Sequence, residues 1–178
     1  MDCFADHMCL LSCRGMQFQV SSKTMASGIM EPACHNKFTQ VCNYVNRHWL
    51  TIASDDCKRI RVYDSLCQRV TRLESHHLEL IRVVKQLTLS RAEVIEWVVC
   101  QQQLDGYNCG PFALAAVWAM LQCRQPMAFR IDGTDMRKRI LQSIEGNIVV
   151  GLRDRLIDPT PVVRLYSRYH VKTKCLTH

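Results

Sequence analysis

The chain has 178 residues, of which 48% are apolar and 22% are charged, the size and composition of one ordinary globular domain. It contains eleven cysteines, an odd count without any Cys-x-x-Cys pair, which argues against a disulfide scaffold and favours reduced thiols. No apolar run reaches transmembrane length and no signal-peptide pattern is present. We therefore expect an intracellular protein, in the nucleus or the cytoplasm, that does not enter a membrane.

The formal charge of +7 is concentrated in the last third of the chain. Residues 1–123 carry 12 basic and 11 acidic side chains, whereas residues 124–178 carry 11 basic and 5 acidic ones. The basic third leaves open a nucleic-acid surface, but no nucleic-acid-binding motif accompanies it. We expect solvated surface there, no nucleic-acid partner, and a monomer.

The first predicted elements are a weak helical pattern over 6–11 and a small, polar loop over 20–36. Residues 38–44 alternate between apolar and polar side chains and predict a strand. Residues 48–53 and 59–66 are two further strand-like runs, and the polar turn between them predicts a hairpin.

Residues 67–90 carry apolar positions at helical spacing and predict an amphipathic helix or two short ones. His76 and His77 lie there beside two glutamates, but without the paired spacing of metal ligands, so we expect a solvated helix face and no metal. Residues 94–100 are rich in β-branched side chains and predict another strand. A closing helix is predicted over 136–144.

The centre of the sequence is a turn that leads into an apolar segment over 113–121, which predicts a buried helix. Asp105-Gly106 is a turn signal, and Pro111 is tolerated in a first helical turn. Cys109 therefore lies where the helix starts, and unpaired N–H groups and the helix dipole favour a nucleophilic thiolate there. The alternative interpretation is one more buried cysteine.

A nucleophilic thiolate needs a base and an oxyanion donor. Gln103 lies six residues before Cys109, so its carboxamide can donate to an oxyanion beside the Cys109 N–H. Sixteen residues separate His48 from Asp64, which places the start of one hairpin strand beside the end of the next. A histidine beside a carboxylate is an oriented base. Gln102 is one position off this spacing and would point to the opposite face of a strand.

Three motifs in this order resemble the ubiquitin-like-protein proteases, the SUMO-specific family of papain-like cysteine peptidases. They are His48-Trp49, then Tyr63-Asp64-Ser65-Leu66, then Gln103 followed after five residues by Cys109-Gly110. The resemblance covers residues 44–125. It implies an α+β fold in which the central helix, headed by the nucleophile, packs on an antiparallel sheet, and the order of predicted elements agrees with that fold class.

The resemblance also implies an activity and a role for each residue. His48 would be the base, Asp64 would orient it, Gln103 would donate to the oxyanion and Cys109 would be the nucleophile. Such an enzyme cleaves after the C-terminal Gly-Gly of a ubiquitin-like modifier and needs no cofactor. We expect the catalytic domain over 1–150 and a basic, peripheral C-terminal tail over 151–178, where prolines interrupt the pattern.

The sequence departs from the family before the histidine. Family members carry a longer segment there, with a tryptophan that roofs a tunnel for the Gly-Gly tail together with the tryptophan after the histidine. Here 47 residues precede His48 and none of them is tryptophan, whereas Trp49 matches the second tunnel residue. Residues 6–8 resemble a remnant of the family's N-terminal helix. The chain resembles the divergent, often transposon-associated branch of the family more than it resembles a housekeeping SUMO protease. A weak or inactive relative that binds a ubiquitin-like protein without efficient turnover is thus the alternative, and the modifier stays open.

Overall fold

The computed structural model describes residues 17–21, 37–44, 48–67, 69–122, 124–131, 133–146, 154–156 and 165–178. The predicted helical pattern over 6–11 and most of the predicted loop over 20–36 lie outside these residues. Within the described ranges no helix has both the length and the hydropathy that crossing a membrane requires.

Strands and helices alternate irregularly along the described chain. The strands are β1 (Gln17–Ser21), β2 (Phe38–Tyr44), β3 (His48–Ser54), β4 (Arg59–Tyr63), β5 (Val94–Val98), β6 (Phe129–Ile131), β7 (Asp154–Leu156), β8 (Leu165–His170) and β9 (Cys175–Thr177). The helices are α1 (Ser75–Leu87), α2 (Cys109–Leu121) and α3 (Gly133–Glu145). The predicted α+β class, the predicted hairpin of β3 and β4, and the predicted central helix are confirmed.

The main sheet has the strand order β1-β2-β3-β4-β5-β8-β9, and β6 pairs with β7 in a separate ribbon. The sheet is mostly antiparallel, as predicted, and it contains two parallel pairs: β1 runs parallel to β2, and β4 runs parallel to β5. The second parallel pair has a physical cause. Helix α1 carries the chain from the end of β4 back to the start of β5, and such a crossover returns the chain in the same direction.

The sheet separates two helical layers. Leu50 and Ile52 of β3 are buried on the face that packs with α1, whereas Trp49 and Ala53 of the same strand contact α2 on the other face. Successive side chains of a strand point to opposite faces, so one strand supplies both cores. Helix α2 is buried between the sheet and α3, which explains why the predicted central helix is apolar on every side.

The C-terminal residues correct one prediction. We expected a peripheral tail over 151–178, but β8 lies beside β5 and β9 lies beside β8 in the main sheet. Ser167 and Tyr169 are buried, and Arg168 forms a 2.9 Å ion pair with the buried Glu96. The prediction failed because the inward-facing side chains of β8 are partly polar, so the strand carries little hydrophobic alternation.

The histidine pair on α1 corrects another prediction. We expected both histidines on a solvated face, yet His77 is buried and its ring meets the edge of Trp97 at a centroid distance of 5.7 Å. Its Nδ1 accepts the backbone N–H of Glu74 at 3.1 Å, which completes a capping box at the start of α1. Burial lowers the pKa of His77. Nowhere in the described part of the chain do three or more potential metal ligands come together.

Candidate active site

The hairpin brings His48 and Asp64 together. His48 opens β3, Asp64 directly follows β4, and the antiparallel register of the two strands places these ends side by side. His48 Nε2 lies 2.7 Å from Asp64 Oδ1, and the two side chains are only 12% and 9% exposed. Removal from water strengthens the electrostatic interaction of such a pair. The His48 ring is therefore held through its Nε2 atom by the Asp64 carboxylate.

The Asp64 carboxylate is itself fixed by the turn that follows it. The same Oδ1 accepts the backbone N–H of Leu66 at 2.8 Å and that of Cys67 at 3.1 Å. The carbonyl oxygen of Asp64 accepts the Nε2–H of Gln102 at 3.1 Å. These bonds orient the acceptor oxygen toward His48, an arrangement that can hold the imidazole in one tautomer.

Cys109 is the first residue of α2 and is buried, with 5% of its surface exposed. The helix is tied to the histidine strand by Thr51, whose Oγ1 donates to the carbonyl oxygen of Ala113 at 2.8 Å. Ala113 lies one helical turn after Cys109, and Thr51 lies on the strand that begins at His48. This buried bond fixes the helix start relative to the strand start.

Gln103 is buried and makes three hydrogen bonds. Its backbone N–H donates to the carbonyl oxygen of Ser65 at 2.9 Å, and its Oε1 accepts the Ser65 hydroxyl at 2.7 Å. Its Nε2 donates to the carbonyl oxygen of Asp105 at 2.5 Å. The carboxamide nitrogen carries a second N–H. Because Ser65 follows Asp64 directly, one turn positions both the Asp64 carboxylate and this carboxamide.

Trp49 is half-buried and lies against α2. It packs on the cluster of buried side chains formed by Val41, Ala113, Leu114 and Val117. The indole therefore rests on the first turns of the helix that Cys109 opens.

Three other described cysteines have thiols whose pKa is strongly raised. Burial raises the pKa of Cys42 to about 12, and burial together with the Asp64 charge raises the pKa of Cys67 and of Cys100 to about 12. These thiols are protonated at neutral pH and are poor nucleophiles.

The sequence analysis missed the contacts of Asp105, Asn108 and Arg137 near Cys109, although it recognised Asp105-Gly106 as a turn. Asp105 Oδ1 accepts the backbone N–H groups of Tyr107 and Asn108 at 3.0 and 2.8 Å, and Arg137 Nε donates to Asn108 Oδ1 at 2.6 Å. The Asp105-x-x-Asn108 spacing before a helix is a signal for a capped turn that could have been recognised. Arg137 carried no signal, because it reaches the site from α3.

Comparison with known proteins gives structural neighbours only. No protein-family model matches the chain, and no curated protein matches its sequence. Structures of SUMO protease Ulp1 with the catalytic cysteine oxidised to a sulfonic or a sulfinic acid match with TM-scores of 0.61 and 0.59 and identities of 16% and 15%. These matches cover 82% and 83% of this chain and 75% and 77% of the neighbours.

A third neighbour is the C-terminal Ulp1 protease domain in complex with Smt3, the yeast ortholog of SUMO. Its TM-score is 0.54 at 16% identity, over 81% of this chain and 74% of that one. In this chain the central helix α2 packs on a mostly antiparallel sheet. The chain therefore has the fold of the SUMO protease Ulp1, the fold that the resemblance to the ubiquitin-like-protein proteases implied.

Proposed function

We propose that the chain is a thiol peptidase or isopeptidase that cleaves after the C-terminal Gly-Gly of a ubiquitin-like modifier. The observation that carries the proposal is the buried pair of His48 Nε2 and Asp64 Oδ1, 2.7 Å apart. This pair accompanies Cys109 at the first residue of the central helix, in a chain with the fold of a SUMO protease. Fold alone does not assign an activity, so the proposal depends on the site.

The proposed reaction uses His48 as the proton carrier. Because Nε2 is bound to Asp64, Nδ1 takes the proton of the Cys109 thiol, and the thiolate attacks the carbonyl carbon of the terminal glycine. The Cys109 N–H and the Gln103 carboxamide donate to the oxyanion. Collapse of this intermediate breaks the C–N bond, and His48 protonates the leaving amine. Water then hydrolyses the thioester with His48 as base.

Trp49 is proposed to hold the extended Gly-Gly tail. Its indole is half-buried against α2, close in sequence to the base, so an open face of the ring can form an apolar wall beside the scissile bond. Remote binding of this kind positions the carbonyl, and small misplacement costs on the order of 10²-fold in rate. Trp49→Ala should therefore impair modifier substrates much more than small electrophiles.

The second candidate is a relative that binds a ubiquitin-like protein without efficient turnover. One observation favours it: the Nε2 of Gln103 already donates to the Asp105 carbonyl oxygen at 2.5 Å. If this bond has to break before the carboxamide serves an oxyanion, part of the stabilisation of the transition state is lost.

The deciding experiment is covalent labelling by SUMO and by ubiquitin that carry a C-terminal electrophile. We expect at least one of these probes to label the wild-type chain, Cys109→Ala to abolish labelling, and Cys100→Ala to retain it. Cys100 is the matched control because its half-buried thiol lies 3.3 Å from the carbonyl oxygen of Asp64, next to the proposed catalytic residues. Folded wild-type protein that binds the modifier but is labelled by neither probe would establish the second candidate instead.

A further inference from the structure

The residue before the nucleophile is an asparagine whose side chain does not cap its helix. Asn108 is the N-cap residue of α2, and an asparagine there ordinarily accepts an N–H of the second or third helical residue. The third residue is Pro111, which has no N–H, so Gly110 is the one donor within reach. The Asn108 side chain makes no cap bond. The start of α2 is thus left without a side-chain cap beside Cys109.

Both ends of the Asn108 amide are engaged away from the helix. Its Oδ1 accepts the Nε–H of Arg137 at 2.6 Å, and its Nδ2 donates to Asp105 Oδ2 at 2.7 Å. A guanidinium only donates and a carboxylate only accepts, so these two partners determine which end of the amide is the oxygen. The Asn108 backbone, at φ −95° and ψ 7°, also lacks the extended conformation of a capping residue. Capping Gly110 would therefore require a change at this backbone position as well as loss of the bond to Arg137.

Arg137 and Asp105 also hold the neighbouring backbone. Arg137 Nη2 donates to the Tyr107 carbonyl oxygen at 2.5 Å, and its guanidinium carbon lies 5.2 Å from the centroid of the Tyr107 ring. Partial burial raises the pKa of the Asp105 carboxyl, but hydrogen bonds from Tyr107 and Asn108 and the Arg137 charge outweigh it and hold that pKa below its ordinary value. We call Asp105, Asn108 and Arg137 the Asn108 clamp.

The clamp matters because the first N–H groups of a helix can serve only one acceptor at a time. An asparagine oxygen on the Gly110 N–H would compete with a thiolate or an oxyanion for the positive end of α2. Phe112 already donates its N–H to the carbonyl oxygen of Asn108 at 3.1 Å. The N–H groups of Cys109 and Gly110 are therefore the ones that a negative charge at this helix start can use.

On the basis of the proposed function, in which Cys109 is the nucleophile, we propose that Arg137 is a positioning residue for catalysis. By holding both Asn108 Oδ1 and the Tyr107 carbonyl oxygen, it keeps Asn108 in the conformation (φ −95°, ψ 7°) from which that side chain does not cap α2, so the helix N-terminus acts on the Cys109 thiolate and the oxyanion. The proposal concerns the reactivity of Cys109 and is distinct from a contribution of Arg137 to stability alone.

The test is the rate at which iodoacetamide alkylates Cys109 in the full chain at several pH values, with the site read by peptide mass mapping. Arg137→Lys keeps a positive charge but loses the planar fork that makes two bonds. Asn108→Ser supplies an oxygen that can cap Gly110 but is too short to reach Arg137. Lys138→Ala is the matched control, because Lys138 is the next residue of α3 and is exposed.

We expect alkylation of Cys109 at neutral pH to slow about two- to fivefold in Arg137→Lys and in Asn108→Ser, the usual size of a helix-dipole effect on a nearby charge. The pH at which alkylation reaches half its maximal rate should rise in both variants, and Lys138→Ala should match wild type. Thermal melts identify any variant that is unfolded at the assay temperature. If either Arg137→Lys or Asn108→Ser is unfolded, the alkylation rate of the other variant tests the proposal.

Wild-type alkylation rates in folded Arg137→Lys or Asn108→Ser would overturn the proposal, because the clamp would then act on stability alone. Equal slowing in Lys138→Ala would overturn it as well, since a change in α3 that leaves the clamp intact would then have the same effect. Alkylation requires no modifier, so the peptidase function and the role of the clamp can be contradicted independently. Absent probe labelling contradicts the peptidase function, whereas unchanged alkylation contradicts only the role of the clamp.

Discussion

Replacement of Asp64 by asparagine should lower activity by about tenfold while the fold stays intact. The reason is that all three hydrogen bonds of the carboxylate, those from His48, Leu66 and Cys67, end on one oxygen, Oδ1. Two of these donors are backbone N–H groups of a fixed turn. The oxygen of an asparagine amide would be held by the same donors, so the amide nitrogen would take the place of the other carboxylate oxygen.

The size of the effect follows from what the amide lacks. His48 would keep an acceptor at Nε2, and therefore its tautomer, but the imidazolium that forms during the reaction would lose its counter-charge. Hydrogen bonds to charged groups contribute about 1.5–3 kcal/mol and neutral ones about 0.5–1.5 kcal/mol, so the change removes about 1–1.5 kcal/mol. This energy corresponds to about tenfold in rate. Wrong-tautomer variants of other triads lose far more.

The assay is kcat/KM on a ubiquitin-like modifier with a fluorogenic C-terminal amide, measured beside thermal melts. Asp64→Ala is the matched variant, because it leaves the N–H groups of Leu66 and Cys67 without their acceptor. We expect a melting temperature close to wild type for Asp64→Asn and a clearly lower one for Asp64→Ala. A loss of about 10³-fold or more in Asp64→Asn would refute the argument that the turn holds the amide oxygen in place. Unchanged activity would show that Asp64 does not assist His48.

Cys109→Ala should abolish labelling by a modifier probe and Cys100→Ala should not, because burial raises the pKa of the Cys100 thiol to about 12; probe found on Cys100 by peptide mapping would contradict this. Gln103→Ala should lower kcat by about 10²–10³ with little change in KM, and a silent variant would remove it from the proposed oxyanion hole. Ser65→Ala should lower kcat less, about fivefold, because it only loses the hydroxyl that orients Gln103 at 2.7 Å; a larger loss than that of Gln103→Ala would reverse these roles. Trp97→Ala should lower the free energy of unfolding by about 3–5 kcal/mol in urea titrations, since Trp97 is 1% exposed, and a near-neutral result would contradict its place in the core.

The strands, the hairpin and the central helix that are determined by local sequence patterns were predicted well. The alternation over 38–44 and the polar turn after β3 are short-range signals. The spacing of sixteen residues across the predicted hairpin was enough to place His48 beside Asp64. The apolar segment after Cys109 predicted α2, because a helix that is buried on all sides is a nearly continuous apolar run in the sequence.

The features that escaped prediction depend on contacts between distant parts of the chain. β8 pairs with β5 across a long stretch of sequence, and nothing in the local pattern of either strand indicates the other. Arg137 reaches Asn108 from another helix, 29 positions away, so its role exists only in the folded chain. The buried His77 was misassigned because charged neighbours in sequence suggested a solvated face, whereas Trp97 lies beside it in space.

The position of β8 has a consequence for the order in which the protein can fold. β5 leads directly into the segment that carries Gln103 and Cys109, yet its outer edge is covered only when residues 165–170 have been synthesised. Until then the nascent chain presents an open strand edge, together with the Glu96 carboxylate, which still lacks Arg168. Pairings of such large sequence separation form slowly. On the ribosome this chain therefore passes through an interval in which a partly built sheet has to be protected from pairing with other chains.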